Sequence, residues 1–158
     1  MYEQLLLKNQ LCYRLYAASR LLTQAYQPYL APLGLTYPQY LVMMILWEEG
    51  ALPVNDIAHR ISLETNTVTP LIQRLERQGL VQRQRGTADS RQRIISLTTQ
   101  GQELKQRAVE VPECMEQDIT NFVTHAQQLE QMIPMLDELI EGLSKKQEKS
   151  RSKRRSCN

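Results

Sequence analysis

A chain of 158 residues is long enough for one hydrophobic core and carries no composition shift that demands a second domain. Its three cysteines, Cys12, Cys114 and Cys157, are too few and odd in number for a disulfide framework, no CxxC or Cys/His pair has metal spacing, and no run approaches the ~20 apolar residues of a membrane span. The net charge of +2 hides a partition: residues 60–93 carry 7 basic and 3 acidic groups, residues 94–144 carry 2 and 9, and residues 145–158 carry 7 and 1. Two blocks therefore have the sign that a polyanionic partner requires. The N-terminus MYEQLLLKNQ lacks a signal peptide's charged start, apolar stretch and cleavage site, so a cytoplasmic protein without metal or cofactor is expected.

From Leu5 to about Tyr26, Leu11, Leu15, Ala18, Leu22 and Tyr26 recur at helical spacing, predicting a long first helix with Cys12 near its middle and Tyr16 one turn further on. Pro28, Pro32, Gly34 and Pro38 then break the chain before a second helix, from Pro38 to about Glu49, that is apolar on most sides and so expected to be buried. After Gly50 and Pro53, Val54, Ile57, Ala58 and Ile61 form the buried stripe of a short helix. A turn, SLET, leads into another helix that buries Val68, Leu71, Ile72 and Leu75. That spacing turns Thr65, Asn66, Thr67, Thr69, Gln73, Arg74 and Arg77 outward, where small polar side chains can cap the start or reach base edges and phosphates. Pro70 is tolerable near a helix start and pins that start to about Thr65 or Asn66.

Gly79 fits the residue just past a helix end, and LVQRQR and RIISL around the turn GTADSRQ predict an antiparallel hairpin. Two helices, a turn and a basic hairpin make a winged helix-turn-helix, in a fold that is mainly α with a small β-wing. At the wing tip Asp89 can orient Arg91 for a narrow, negative minor groove, while Arg77, Arg83 and Arg85 suit phosphates. A solvated hairpin with a local ion pair is the plainer alternative. Thr98 or Thr99 caps a helix through GQELKQRAVEV, which Pro112 kinks or restarts. Thr124 to Gln127 fits a capping box, after which Leu129, Met132, Ile133, Leu136, Leu139, Ile140 and Leu143 form a wide stripe, with a kink expected at Pro134. Such a stripe needs cover, either from its own subunit or, more economically, from a symmetric dimer joining first and last helices. Residues 145–158 form a basic tail, expected to be disordered.

The pieces NQLCYRLYAASR, LTYPQYLVMMILWE, LETNTVTPLIQRLERQGLV and ADSRQR resemble the MarR family of winged-helix regulators, and within it the OhrR-like branch that senses organic peroxides. The likeness runs from Asn9 to about Leu143. It implies a single domain over residues 1–144, with a winged helix-turn-helix core at about 38–98 and dimerisation helices at about 5–30 and 99–143. It also implies a homodimer whose two reading helices enter successive major grooves of a pseudo-palindromic operator, with Thr65, Asn66, Thr67, Thr69 and Arg74 toward the bases.

In that branch the first-helix cysteine is the sensor, and the matching position is Cys12. The tyrosines that hydrogen-bond it across the dimer map onto Tyr26 and Tyr37, with Tyr16 nearby. Phenol donors favour the thiolate, which is the species that attacks a peroxide. Some members then form an intersubunit disulfide through a second cysteine. Cys114 lies in that neighbourhood but about one turn before the usual position, and a disulfide needs Cα atoms within about 7 Å. Cys114 as resolving thiol, Cys114 as inert, and a low-molecular-weight thiol as partner all stay open. Cys157 is expected to be a bystander. The implied function is a non-enzymatic repressor that leaves DNA when an organic hydroperoxide oxidises Cys12. Two alternatives are a repressor released by a small phenolic ligand with Cys12 silent, and a thiol peroxidase, against which the missing thioredoxin-like pattern counts.

Overall fold

The computed structural model describes residues 2–86 and 92–155. The chain divides into two compact units, residues 1–115 and residues 116–158. The fold is mainly helical, with one small antiparallel sheet. Among the described residues no single helix is long and apolar enough to cross a membrane.

In the first unit, α1 (Leu11–Ala25) begins at Leu11 and not at Leu5. Local hydrogen bonds win over apolar periodicity here. Glu3–Leu5 and Leu7–Asn9 are single 3₁₀ turns. Their backbone carbonyls are taken by side chains: Asn9 Nδ2 donates to Glu3 O at 3.0 Å, Gln10 Nε2 to Gln4 O at 2.6 Å, and Arg14 to the carbonyls of Gln10 and Lys8. Cys12 is therefore the second residue of α1, not near its middle.

The short α2 (Gln27–Leu30) leads through a 3₁₀ turn to α3 (Tyr37–Glu49). Gln39 Oε1 accepts from the Thr36 backbone N–H at 2.9 Å and from its hydroxyl at 3.0 Å, fixing the helix start. As its all-round apolarity predicts, α3 is central: Tyr40, Val42, Met43 and Leu46 are buried in the core with Leu30, Ile57, Val68, Ile72, Leu75 and Ile95.

Next come β1 (Leu52–Pro53), α4 (Val54–Arg60), α5 (Thr65–Arg77), β2 (Val81–Arg85) and β3 (Arg93–Leu97). The sheet order is β1-β3-β2, with Leu52 opposite Ile95 and Arg83 also opposite Ile95 from the other side. The hairpin was expected, but β1 was not, because two residues ending in proline show no alternation. The α4 and α5 helices end alike: Leu63 N–H bonds Ala58 O at 3.0 Å and Leu80 N–H bonds Leu75 O at 3.0 Å, with Ser62 (φ 53°) and Gly79 (φ 73°) left-handed at the corner. Glycine suits that geometry. For Ser62 it costs roughly 1 kcal/mol, a local strain that the packing of the two helices around the turn imposes.

Beyond the sheet, α6 (Thr99–Ala108) is capped by Thr98, whose Oγ1 accepts from Gly101 N–H at 3.1 Å and donates to Gly79 O at 2.5 Å. The Gly101 carbonyl accepts from Trp47 Nε1 at 2.9 Å. In α7 (Val111–Phe122) Pro112 is the second residue, so it starts a new helix and kinks none.

In the second unit, the residues around the expected capping box form 3₁₀ turns, Ala126–Gln128 and Glu130–Met132. The helix α8 starts only at Ile133 and runs to Arg155. Pro134 is its second residue, where a missing N–H breaks no intrahelical bond, so the expected kink has no cause. Residues 145–155, expected as a disordered tail, continue α8: Lys, Arg, Gln and Glu are good helix formers, and Lys145 pairs with Glu141 one turn back at 2.5 Å.

A Cβ on Gly101 would stand 1.9 Å from the Leu80 carbonyl oxygen. Backbone on both sides leaves no flexible group to yield. Gly101→Ala should lower stability by about 3 kcal/mol in urea unfolding; a loss under about 0.5 kcal/mol would show that the α6–β2 approach is slack.

Candidate nucleic-acid interface and thiol site

The outward face of α5 carries most of the residues expected to meet DNA. Thr65 is its first residue and donates from Oγ1 to Asn55 Oδ1 at 3.1 Å, tying the reading helix to α4. Asn66, Thr67, Arg74 and Arg77 are exposed. Thr69 differs: it is half-buried and donates its hydroxyl to Thr65 O at 2.7 Å, so that donor is spent on its own helix. None of the small polar residues caps the helix. The flanking residue is Glu64, whose backbone carbonyl takes the N–H groups of Thr67 and Val68 at 2.9 and 3.0 Å. The helix starts at Thr65, as Pro70 predicts; Pro70 is its sixth residue, past the first turn, and has no N–H to give the Asn66 carbonyl.

In the hairpin, Arg85 is exposed. Arg83 is turned inward: Nη2 lies 3.8 Å from Glu76 Oε2, and Nε and Nη2 are buried without a hydrogen-bond partner. Glu76 of α5 thus faces Arg83 of β2 as a long ion pair. Sequence reasoning missed it because it is seven positions from Arg83 across a turn. Asn55, which anchors Thr65, was missed for the same reason. Asp89 and Arg91 at the wing tip, and Cys157, lie outside the described residues.

The expected thiol site is not assembled within one chain. Cys12 is exposed in the first turn of α1, where backbone N–H groups have no intrahelical acceptor, and Tyr16, one turn on, is exposed as well. Tyr26, at the end of α1, and Tyr37, at the start of α3, form a pair with ring centroids 4.8 Å apart, and Tyr40 continues it at 6.2 Å from Tyr26. Tyr40 was unmarked in the sequence and leads on to Trp47 at 6.3 Å. Among the described residues no tyrosine donates to Cys12. Cys114 is half-buried in α7.

Burial pushes the phenols of Tyr26, Tyr37 and Tyr40 above the ordinary value of 10.0, helped at Tyr26 by the neighbouring Tyr37. They are held as neutral O–H donors. No residue of α1 is buried, and Leu11, Tyr13, Tyr16, Leu21 and Leu22 are all exposed.

The family model for the MarR family matches residues 35–92. The organic hydroperoxide resistance transcriptional regulator of Bacillus subtilis (strain 168) is 44% identical over 111 residues, covering 70% of this chain and 76% of that protein. Among solved structures, the chain is similar to AbfR, known from Staphylococcus epidermidis. Reduced AbfR bound to DNA is 40% identical with a TM-score of 0.69, covering 87% of this chain and 97% of that one. Overoxidized AbfR bound to DNA is 42% identical with a TM-score of 0.67, covering 85% and 97%. The disulfide-formed AbfR is 40% identical with a TM-score of 0.62, covering 88% and 95%.

Raised phenol values fix the sign of a pH effect. Below about pH 10 these groups are protonated folded and unfolded, whereas above it the unfolded chain ionises first, so stability falls as pH rises. Absorbance at 295 nm should show a late tyrosine component beyond pH 10.0 that shrinks in Tyr37→Phe. Titration of all the tyrosines in one step centred near pH 10.0, with no late component, would mean the ring pair is open to water.

Proposed function

The chain belongs to the MarR family of transcriptional regulators, and from that premise we propose that it is a redox-sensing repressor that binds operator DNA as a homodimer while Cys12 is reduced. One observation carries the reading: Cys12 stands exposed in the first turn of a helix with no residue fully buried in its own chain. An apolar helix in that state calls for a second copy, and the second copy can supply what the single chain lacks. Its Tyr26 and Tyr37, held as O–H donors, and Tyr16 would close over the sulfur. The thiolate attacks an oxygen of an organic hydroperoxide, the O–O bond breaks, and sulfenic acid and an alcohol result.

The sulfenic acid then condenses with a second thiol, losing water to give a disulfide. Cys114 and a low-molecular-weight thiol are the two candidates. AbfR is found on DNA both reduced and overoxidized, which favours the disulfide over a bulkier sulfur oxide as the releasing species here. On DNA, the exposed Asn66, Thr67 and Arg74, with Thr65, face the major groove. Thr69 braces the helix, Arg77 and Arg85 meet phosphates, Arg83 supports the wing, and Asp89 orients Arg91 for the minor groove. A sensor of this kind reacts once per thiol and is not an enzyme.

A second reading, a repressor released by a small phenolic ligand, has its own observation. A cavity of about 350 Å³ lies in the first unit, with Leu33, Leu80 and Leu104 lining it and Gln78, Gln100, Glu103 and Arg107 supplying polar groups. The two readings differ in their dependence on sulfur. In a gel-shift titration on promoter DNA, cumene hydroperoxide should abolish wild-type binding and leave Cys12→Ser bound. Equal release of both proteins would remove Cys12 from the mechanism.

A further inference from the structure

The polar end of α8 lies outside the winged helix-turn-helix and the thiol site. From Ser144 to Arg155 the helix contains no aliphatic or aromatic residue, and residues 145–155 hold seven basic groups against one acidic. The apolar stripe of the second unit stops at Leu143, so this end of the helix has no face to bury against protein. An anionic membrane surface would attract the same charge, but the segment lacks the apolar side with which a helix embeds in a bilayer interface. What the segment offers is charge density. At 1.5 Å per residue, residues 145–155 span about 16 Å, or one positive charge per roughly 2.4 Å, close to the one phosphate per about 1.7 Å of duplex DNA.

The charges also repel one another along the helix. Lys145 and Lys149, Lys149 and Lys153, and Arg151 and Arg155 are four apart, and Lys146 and Lys149, and Arg151 and Arg154, are three apart. Glu141, paired with Lys145, offsets one of these charges, and Glu148 is the one acidic residue in this stretch of sequence. A polyanion would relieve the rest and tighten the helix at the same time.

We propose that residues 145–155 form a basic helical arm, a second DNA contact that follows the phosphate backbone without reading sequence. The inference rests on the DNA-binding reading above. It adds to that reading a contact outside the winged helix-turn-helix, which sets affinity and salt dependence while α5 and the wing set sequence preference.

The test compares the full chain with a full-length variant in which Lys145, Lys146, Lys149, Arg151, Lys153, Arg154 and Arg155 are all changed to Gln, which keeps helix propensity. Both are titrated with promoter duplex and with random-sequence duplex of equal length between about 50 and 200 mM NaCl, the range over which phosphate contacts are lost most visibly. If one face of each arm meets about three phosphates, a dimer loses about six in the variant, and its log–log salt slope becomes shallower by about 5. Over that salt range the variant should lose on the order of a thousandfold less affinity than the wild type, with the promoter-to-random ratio unchanged. Far-UV circular dichroism should show DNA increasing helicity in the wild type only.

Equal salt slopes for the two proteins would overturn the arm. Equal slopes together with wild-type-only binding to phosphatidylserine vesicles would assign the segment to a membrane surface instead. A wild type with no promoter preference would count against the repressor reading, and the salt slopes on random duplex would still decide the arm.

Discussion

An apolar helix face that its own chain leaves largely exposed is the constraint on which the proposed assembly depends. Leu11, Tyr13, Tyr16, Leu21 and Leu22 of α1 are exposed in the single chain. Each is already about half covered, so burying the remainder would contribute roughly 1 kcal/mol apiece, on the order of 10 kcal/mol for the two helices of a dimer, which is comparable to the roughly 4–15 kcal/mol that association itself costs. α1 alone therefore makes a marginal dimer. The second unit exposes Ile133, Met135, Leu139, Ile140 and Leu143, and a stable proposed homodimer draws on these as well. Cys12 sits on α1, so a change of a few kcal/mol at its sulfur is large against the surplus that holds the copies together.

The DNA-binding part contrasts with this marginal helix because it is cross-tied. Asn55 holds Thr65, Glu76 holds Arg83, Thr98 bridges Gly79 and Gly101, and Trp47 Nε1 bonds the Gly101 carbonyl. Such ties between elements favour motion of this part as one piece. A redox event at Cys12 would act by changing the spacing of two reading helices across a dimer, the rigid-body class of switching transition, and not by melting either of them.

How much was legible in the sequence depended on how far each determinant lay along the chain. α3, α5 and the hairpin were readable because apolar spacing, Gly79 and the GTADSRQ turn are local signals. The start of α1 was not, because Asn9, Gln10 and Arg14 take backbone carbonyls that periodicity ignores. The start of α8 was misplaced because Thr124 to Gln127 has the composition of a capping box, yet the chain there forms 3₁₀ turns before Ile133. In the site, Thr65, Asn66, Thr67 and Arg74 were placed outward by spacing alone. The inward turn of Thr69 and Arg83, the roles of Asn55 and Glu76, and the Tyr26–Tyr37–Tyr40 series depend on contacts across turns that no linear pattern carries.

The central claim is that the sensor is completed across two chains, with Cys12 from one and tyrosines from the other. A mixed dimer tests it most directly: one chain carries Cys12→Ser, the other Tyr26→Phe with Tyr37→Phe, and the rate of thiol oxidation by cumene hydroperoxide is followed. The account predicts that each parent homodimer is slow or inert while the mixed dimer regains wild-type reactivity at one sulfur per dimer, because the surviving Cys12 faces intact tyrosines. A mixed dimer as slow as the phenylalanine parent would contradict it, placing any tyrosine support for Cys12 within its own chain.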